Sequence, residues 1–130
     1  RKQVEKLAGK NRNIIFTGFI NERQLGDYYS LADIFTAASK SETQGLTLLE
    51  AAAHGLPIVA YDSPVTSEFL KESKSGYIAK SDFTKKVGIV LNRPDVARKF
   101  RNNAMNAVKK YSTETCVNEL LGVYKSLIHQ

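Results

Sequence analysis

The amino-acid sequence predicts an α/β fold: a doubly wound parallel sheet with helices on both faces and extra helices at the C-terminal end. Three observations support this prediction. Short β-branched or aromatic runs alternate with segments of helical period, the connections are short, and two helical segments follow the last strand and its helix. With 130 residues, 42% of them hydrophobic, the chain has enough apolar material for one core.

Four runs are expected to form strands because β-branched and aromatic residues are concentrated in them. They occupy residues 14–17, 34–37, 57–61 and 76–79.

Residues with positional preferences mark the helix ends. Asn21 suits an N-cap, Gly55 followed by Pro57 suits a helix stop, and Pro94 suits a first turn. The chain opens with the end of a helix before Gly9, and further helices are expected at residues 21–32, 46–54, 67–72, 83–91, 94–110 and 113–128. Tyr28 and Tyr29 are interpreted as packing residues, and Cys116 as a small buried side chain.

The positive charge is concentrated in one segment. Residues 71–110 hold 11 Lys and Arg against three acids, a local +8, so the remainder carries 8 basic and 10 acidic residues, a net −2. Such a cluster suits phosphates, nucleic acid or an anionic membrane. The alternative is a set of solvated helix faces.

Disulfide and metal chemistry are not expected. Cys116 is the single cysteine, and His54 and His129 form no recognisable metal site. No run reaches the roughly 20 apolar residues of a membrane span, and the start does not resemble a signal peptide. The sequence therefore favours a cytoplasmic protein, with peripheral contact at the inner face of the cell membrane as an option.

The loop at residues 39–45 is the predicted ligand site. In open α/β sheets, ligands bind beyond the carboxyl ends of the strands, where loops lead into helices. This loop leads into a helix, whose first N–H groups and dipole suit a phosphate. Gly45 would let a ligand approach the backbone closely.

Two carboxylates accompany this loop. Glu42 lies within it, and Glu50 interrupts the apolar helix that follows, where a carboxylate is costly without a hydrogen-bonding partner. Glu50 would lie about one turn into the helix. The pattern favours a phosphorylated, polyhydroxylated ligand, although a surface loop acid and a solvated helix residue explain the spacing equally well.

The residues Ser39, Glu42, Gly45, Glu50, Ala51, Gly55 and Pro57 resemble the donor-site signature of retaining glycosyltransferases with the B-type fold, the large family 4 group. The resemblance extends over almost the whole chain, through "NIIFTGFINERQLGDYYSLADIFTAAS" and "SGYIAKSD".

The resemblance implies a role for each site residue. Glu42, with Gly45, would bind the donor sugar, and Glu50 would bind the ribose of the nucleotide. The amides of Gly45, Leu46 and Thr47 would face the diphosphate. The implied reaction transfers a hexose, commonly from a uridine diphosphate sugar, with retention at the anomeric carbon, no essential metal, no further cofactor and no protein nucleophile.

The sequence also departs from the family pattern. Pro64 and Val65 stand where a pair of glycines is usual, although Glu68 is kept. The acceptor-binding N-terminal domain and the first strand of the donor domain would precede Arg1. Residues 1–130 are thus expected to be an N-terminally truncated nucleotide-sugar-binding domain, inactive alone, whose last helix leaves an apolar face partly exposed.

Short segments of the sequence resemble subgroups of the family that differ in their acceptors. "SETQGLT" resembles bacterial diacylglycerol glucosyltransferases, which implies glucose and a membrane lipid acceptor. The segment "GLTLLEA" also resembles glucosyltransferases that act on teichoic acid or on surface proteins. Two other classes remain open: a nucleic-acid-binding module, disfavoured because no aromatics interleave the basic cluster, and a non-catalytic nucleotide-binding or interaction domain.

Overall fold

The structure is a computed structural model that describes residues 2–41 and 43–128. Its helices are α1 (Lys2–Ala8), α2 (Glu22–Leu31), α3 (Leu46–Ala53), α4 (Pro64–Ser73), α5 (Phe83–Asn92), α6 (Pro94–Ala107) and α7 (Thr113–Ile128), and its strands are β1 (Phe35–Ala37), β2 (Ile58–Tyr61) and β3 (Gly76–Ala79). A short 3₁₀ turn, Val108–Tyr111, links α6 to the segment before α7.

The three strands form one parallel sheet in the order β1, β2, β3. Ile58 at the start of β2 lies opposite Phe35 on one side and Gly76 on the other. A side chain at Gly76 would place its Cβ 1.8 Å from the carbonyl oxygen of Ile58. Glycine at this position is therefore required by the close approach of two backbones.

Helices cover both faces of this sheet. Ile58 and Ala60 of the central strand pack in a core with buried residues of α3 and α4, while Val59 between them packs with buried residues of α5 and α6. Alternate residues of a strand point to opposite faces, so a strand buried on both sides is apolar throughout. The predicted α/β architecture is confirmed.

The prediction of a strand at residues 14–17 was wrong. In the described part of the chain this segment is irregular, and Ile14, Ile15 and Phe16 are exposed. A strand is stabilised by hydrogen bonds to a neighbouring strand. β1, the edge strand that follows residues 14–17 in the chain, pairs with β2 and with no other described strand. Local β-propensity is not sufficient without such a partner.

Other differences concern helix ends and α7. The helix predicted at residues 67–72 begins earlier, at Pro64, because Ser63 and Thr66 form a capping box. The helix predicted to run to residue 110 ends at Ala107 and continues as the 3₁₀ turn. No residue of α7 is buried, so the expectation of a buried Cys116 was wrong. In residues 2–41 and 43–128, none of the helices combines the length and apolar character needed to cross a membrane.

Candidate functional site

The predicted site lies at the carboxyl edge of the sheet. Because all three strands are parallel, their carboxyl ends share one edge, and the loop after β1 leads from this edge into α3. Within that loop, the amide of Ser41 donates to Oγ of Ser39 over 3.3 Å. Glu42, the predicted sugar-binding carboxylate, lies outside the described residues.

Gly45 is the N-cap residue of α3, at which the loop ends and the helix begins. It has a left-handed conformation, with φ +69°, and its carbonyl accepts hydrogen bonds from the amides of Leu48 and Leu49. A Cβ at this position would lie 2.8 Å from Cγ1 of Val65. Both the backbone angle and the close contact therefore favour glycine.

The start of α3 has no side-chain cap. The amides of Leu46 and Thr47 donate to no other residue of the described chain. Unpaired N–H groups at a helix start carry partial positive charge and suit an anion. Binding of an anion at the start of α3 remains a prediction.

Glu50 lies half-buried about one turn into α3. Its Oε2 accepts a hydrogen bond from the hydroxyl of Tyr29 in α2 over 2.9 Å. Burial, followed by this hydrogen bond and the charge of Glu50, raises the pKa of Tyr29 to about 12. The carboxylate in the apolar helix therefore has a partner, which comes from a different helix.

The Tyr29 ring is held between two other rings. It stacks on His54 with centroids 5.1 Å apart and makes a tilted contact with Phe35 at 6.1 Å. Nδ1 of His54 lies 2.9 Å from the carbonyl oxygen of Glu50, which ties the His54 ring to α3. Tyr29 is a packing residue, as predicted, but it is also a hydrogen-bond donor to Glu50.

A cavity of about 250 Å³ opens beside Gly45, between α3 and α4. Gln44 and Glu68 contribute its polar lining, and Val65 and Tyr111 contribute apolar surface. Val65 is one of the two residues that replace the glycines usual in the family pattern, and its side chain packs against Gly45. Val65 therefore forms part of the cavity wall at a position where the resemblance implied a glycine.

A second cavity, of about 510 Å³, lies at the ends of β2 and β3. Lysines 71, 80 and 86 surround Asp62 and Asp82 there. The charges are largely satisfied internally, because Lys80 pairs with Asp62 at 3.7 Å and Lys86 pairs with Asp82 at 3.0 Å. The described residues include no group of three or more His, Cys, Asp or Glu suited to a metal ion.

The structure thus brings together Gly45, Leu46, Thr47 and Glu50 on one short helix at the carboxyl edge. The hydrogen bond from Tyr29 to Glu50 was missed in the sequence. Tyr29 and Glu50 belong to different helices, 21 residues apart, so no periodicity links them. Only the apolar surroundings of Glu50 signalled that it needed a partner.

Comparison with known sequences places this geometry in a family. The profile of the family described as "Glycosyl transferases group 1" matches residues 1–107. The chain is 32% identical over 125 residues to an alpha-monoglucosyldiacylglycerol synthase of Acholeplasma laidlawii, covering 95% of this chain and 31% of that protein. It is 42% identical over 76 residues to the enzyme of the same name from Streptococcus pneumoniae, covering 58% and 17%. The chain thus spans about a third or less of the length of these two relatives.

A solved structure agrees with the sequence comparison. The C-terminal domain of a glycosyl transferase group 1 family protein from Francisella tularensis superposes with a TM-score of 0.72 at 27% identity, covering 86% of this chain and 60% of the other. The fold, the open start of α3 and the family profile over residues 1–107 lead to one assignment. This chain belongs to the glycosyl transferases group 1 family.

Proposed function

We propose that the chain binds the nucleotide sugar of a retaining hexosyltransferase, with uridine diphosphate glucose as the donor. Residues 1–130 would be the C-terminal, nucleotide-sugar-binding domain of a longer enzyme whose acceptor-binding domain precedes them, and would be inactive alone. The similar Francisella tularensis structure is itself a C-terminal domain, which supports this arrangement.

The observation that carries this proposal is the start of α3. Two amides, those of Leu46 and Thr47, have no partner in the described chain, and Gly45, with φ +69°, turns the backbone into the helix. A diphosphate presents the negative oxygens that such a helix start attracts. Glu50, one turn further, would then accept hydrogen bonds from the ribose, and Glu42 with Gly45 would meet the sugar.

The proposed chemistry is the retaining transfer that the resemblance to this family implies. The bond between the anomeric carbon and the phosphate oxygen breaks while the acceptor oxygen bonds to that carbon on the same face. The acceptor proton passes to the leaving phosphate, so no protein nucleophile is required. The positive end of α3 would stabilise the negative charge that develops on the diphosphate.

A membrane lipid such as diacylglycerol is the acceptor that we favour. The names of the Acholeplasma laidlawii and Streptococcus pneumoniae relatives support a lipid acceptor. The second candidate, a teichoic acid or protein acceptor, is supported by a poly(ribitol-phosphate) alpha-N-acetylglucosaminyltransferase of Staphylococcus aureus, 29% identical over 135 residues.

A lipid acceptor requires the protein to approach a bilayer, and the basic segment suits that approach. Seven exposed cations of residues 71–110 make no ion pair with a described carboxylate: Lys71, Lys74, Lys85, Arg98, Lys99, Arg101 and Lys109. They would attract anionic headgroups. We expect the chain to sediment with vesicles that contain anionic lipid and not with neutral ones. Equal sedimentation with both would exclude this charge-based contact.

The donor assignment is tested by Glu50→Gln, which removes the charge but keeps the shape. We expect uridine diphosphate to bind more weakly by about 2 kcal/mol, roughly thirtyfold in Kd, because charge-assisted hydrogen bonds to the ribose are lost. Isothermal calorimetry measures this change. Glu72→Gln is the matched control, since Glu72 is an exposed acid near the end of α4 that pairs with Lys110. Equal affinities for the parent chain and Glu50→Gln would contradict the assignment.

A further inference from the structure

Tyr29 reaches into the proposed site, although the roles assigned above do not include it. Its hydroxyl donates to Oε2 of Glu50 over 2.9 Å. A glutamate side chain has three rotatable bonds, and fixing them on binding costs conformational entropy. A partner that already holds the carboxylate before the ligand arrives lowers that cost.

Tyr29 is itself held in place. Its ring lies against His54 and Phe35, with centroid distances of 5.1 and 6.1 Å. Phe35 belongs to β1 and His54 closes α3, so the ring is fixed between the sheet and the helix that carries Glu50. The hydrogen bond therefore joins two elements whose separation is set by packing.

The other carboxylate oxygen of Glu50 remains available. Oε1 makes no hydrogen bond with any residue of the described chain. It is also accessible to solvent, because no fully buried side-chain oxygen or nitrogen without a partner occurs among residues 2–41 and 43–128. Glu50 thus presents one engaged oxygen and one open oxygen.

We propose that Tyr29 is a positioning residue, whose hydroxyl holds Oε2 of Glu50 so that Oε1 accepts a hydrogen bond from a ribose hydroxyl. The inference rests on the proposed function and deepens it, because it assigns recognition of the ribose to a pair of side chains from two helices. The pair adds affinity for a nucleoside diphosphate and none for the diphosphate alone.

The protonation states suit this role. The pKa of Tyr29 is about 12, so the phenol keeps its proton at neutral pH and remains a donor. The titratable groups in contact with it from the packed elements are the carboxylate of Glu50 and the imidazole of His54. The hydrogen bond is consequently present at the near-neutral pH at which the chain would meet a nucleotide.

The test compares Tyr29→Phe with Tyr28→Phe. Tyr29→Phe keeps the ring and its contacts and removes the hydroxyl, whereas Tyr28 is the neighbouring exposed tyrosine, with no hydrogen bond to a described residue. Calorimetry gives the Kd of each variant for uridine diphosphate and for inorganic pyrophosphate. We expect Tyr29→Phe to weaken uridine diphosphate about fivefold, the effect of one ordinary hydrogen bond. Pyrophosphate binding and both affinities of Tyr28→Phe should not change.

The ratio of the two Kd values is the decisive quantity. Partial unfolding of a variant would weaken both ligands equally and leave the ratio unchanged, so a merely structural role of Tyr29 predicts no change in it. In a Glu50→Ala background, which removes the acceptor of the Tyr29 hydroxyl, Tyr29→Phe should have no further effect on the ratio.

The possible failures are distinguishable. If Glu50→Gln changes the ratio and Tyr29→Phe does not, the donor site stands and the positioning role is overturned. If the parent chain binds neither uridine diphosphate nor pyrophosphate, the proposed function fails and the positioning role fails with it.

Discussion

At the scale of single residues, Asp62 shows how an exposed carboxylate at the end of β2 is kept ionised. The hydroxyl of Ser67 donates to its Oδ1 over 2.5 Å, and Lys80 lies 3.7 Å from its Oδ2. The hydrogen bond from Ser67 is the main cause that lowers the pKa of Asp62, with Lys80 and Lys71 adding to it. Each of these contacts stabilises the charged form of the carboxyl group.

This arrangement gives a pH dependence whose sign can be worked out. The pKa of Asp62 is lower in the folded state than the value of about 4 expected when unfolded. Its contribution to the free energy of unfolding is therefore present above pH ~4 and is lost as the pH falls through the folded pKa. We expect Ser67→Ala to raise the pKa of Asp62 and to reduce this loss.

Carboxyl titration by NMR measures the effect of Ser67→Ala. Asp82 provides an internal control, because its low pKa depends mainly on the backbone amide of Lys80 and on Lys86 rather than on Ser67. An unchanged pKa of Asp62 in the variant would show that the hydroxyl of Ser67 is not the cause.

At the scale of elements, the sequence correctly predicted the helices and strands whose formation depends on local residue preferences. The helix α3 was predicted at residues 46–54, with Gly55 and Pro57 as its stop, and it is observed at Leu46–Ala53. Strand β3 was predicted with its observed bounds. In both cases the local residue pattern agrees with the burial that the fold imposes, since Leu48, Ala51 and Ala79 are buried.

The wrong predictions at this scale concern segments whose conformation depends on contacts with other parts of the chain. Residues 14–17 have strand propensity but no partner strand in the described chain. The start of α4 depends on Thr66, whose buried hydroxyl donates to the carbonyl of Tyr61 over 2.6 Å. In α7 the predicted burial of Cys116 was wrong, whereas the expected exposure of part of its apolar face agrees with the exposed Leu120 and Leu127.

At the scale of the whole molecule, the residues of the proposed site lie at a different place from the two cores. The two cores lie on opposite faces of the sheet, whereas Gly45, Leu46, Thr47 and Glu50 gather at its carboxyl edge. The edge was predictable from the parallel topology, since that topology alone determines where strand ends meet. The Tyr29 contact was not predictable, because it depends on how α2 lies against α3 in three dimensions.

The central claim is that the start of α3 binds the diphosphate of a nucleotide sugar. The most direct measurement is a titration of the chain with uridine diphosphate, followed by amide NMR spectra. We expect the largest shifts at the amides of Gly45, Leu46 and Thr47, with smaller shifts around Glu50, because the phosphates would meet those N–H groups. Shifts centred on the lysines near Asp62 instead, or none at millimolar nucleotide, would contradict the claim.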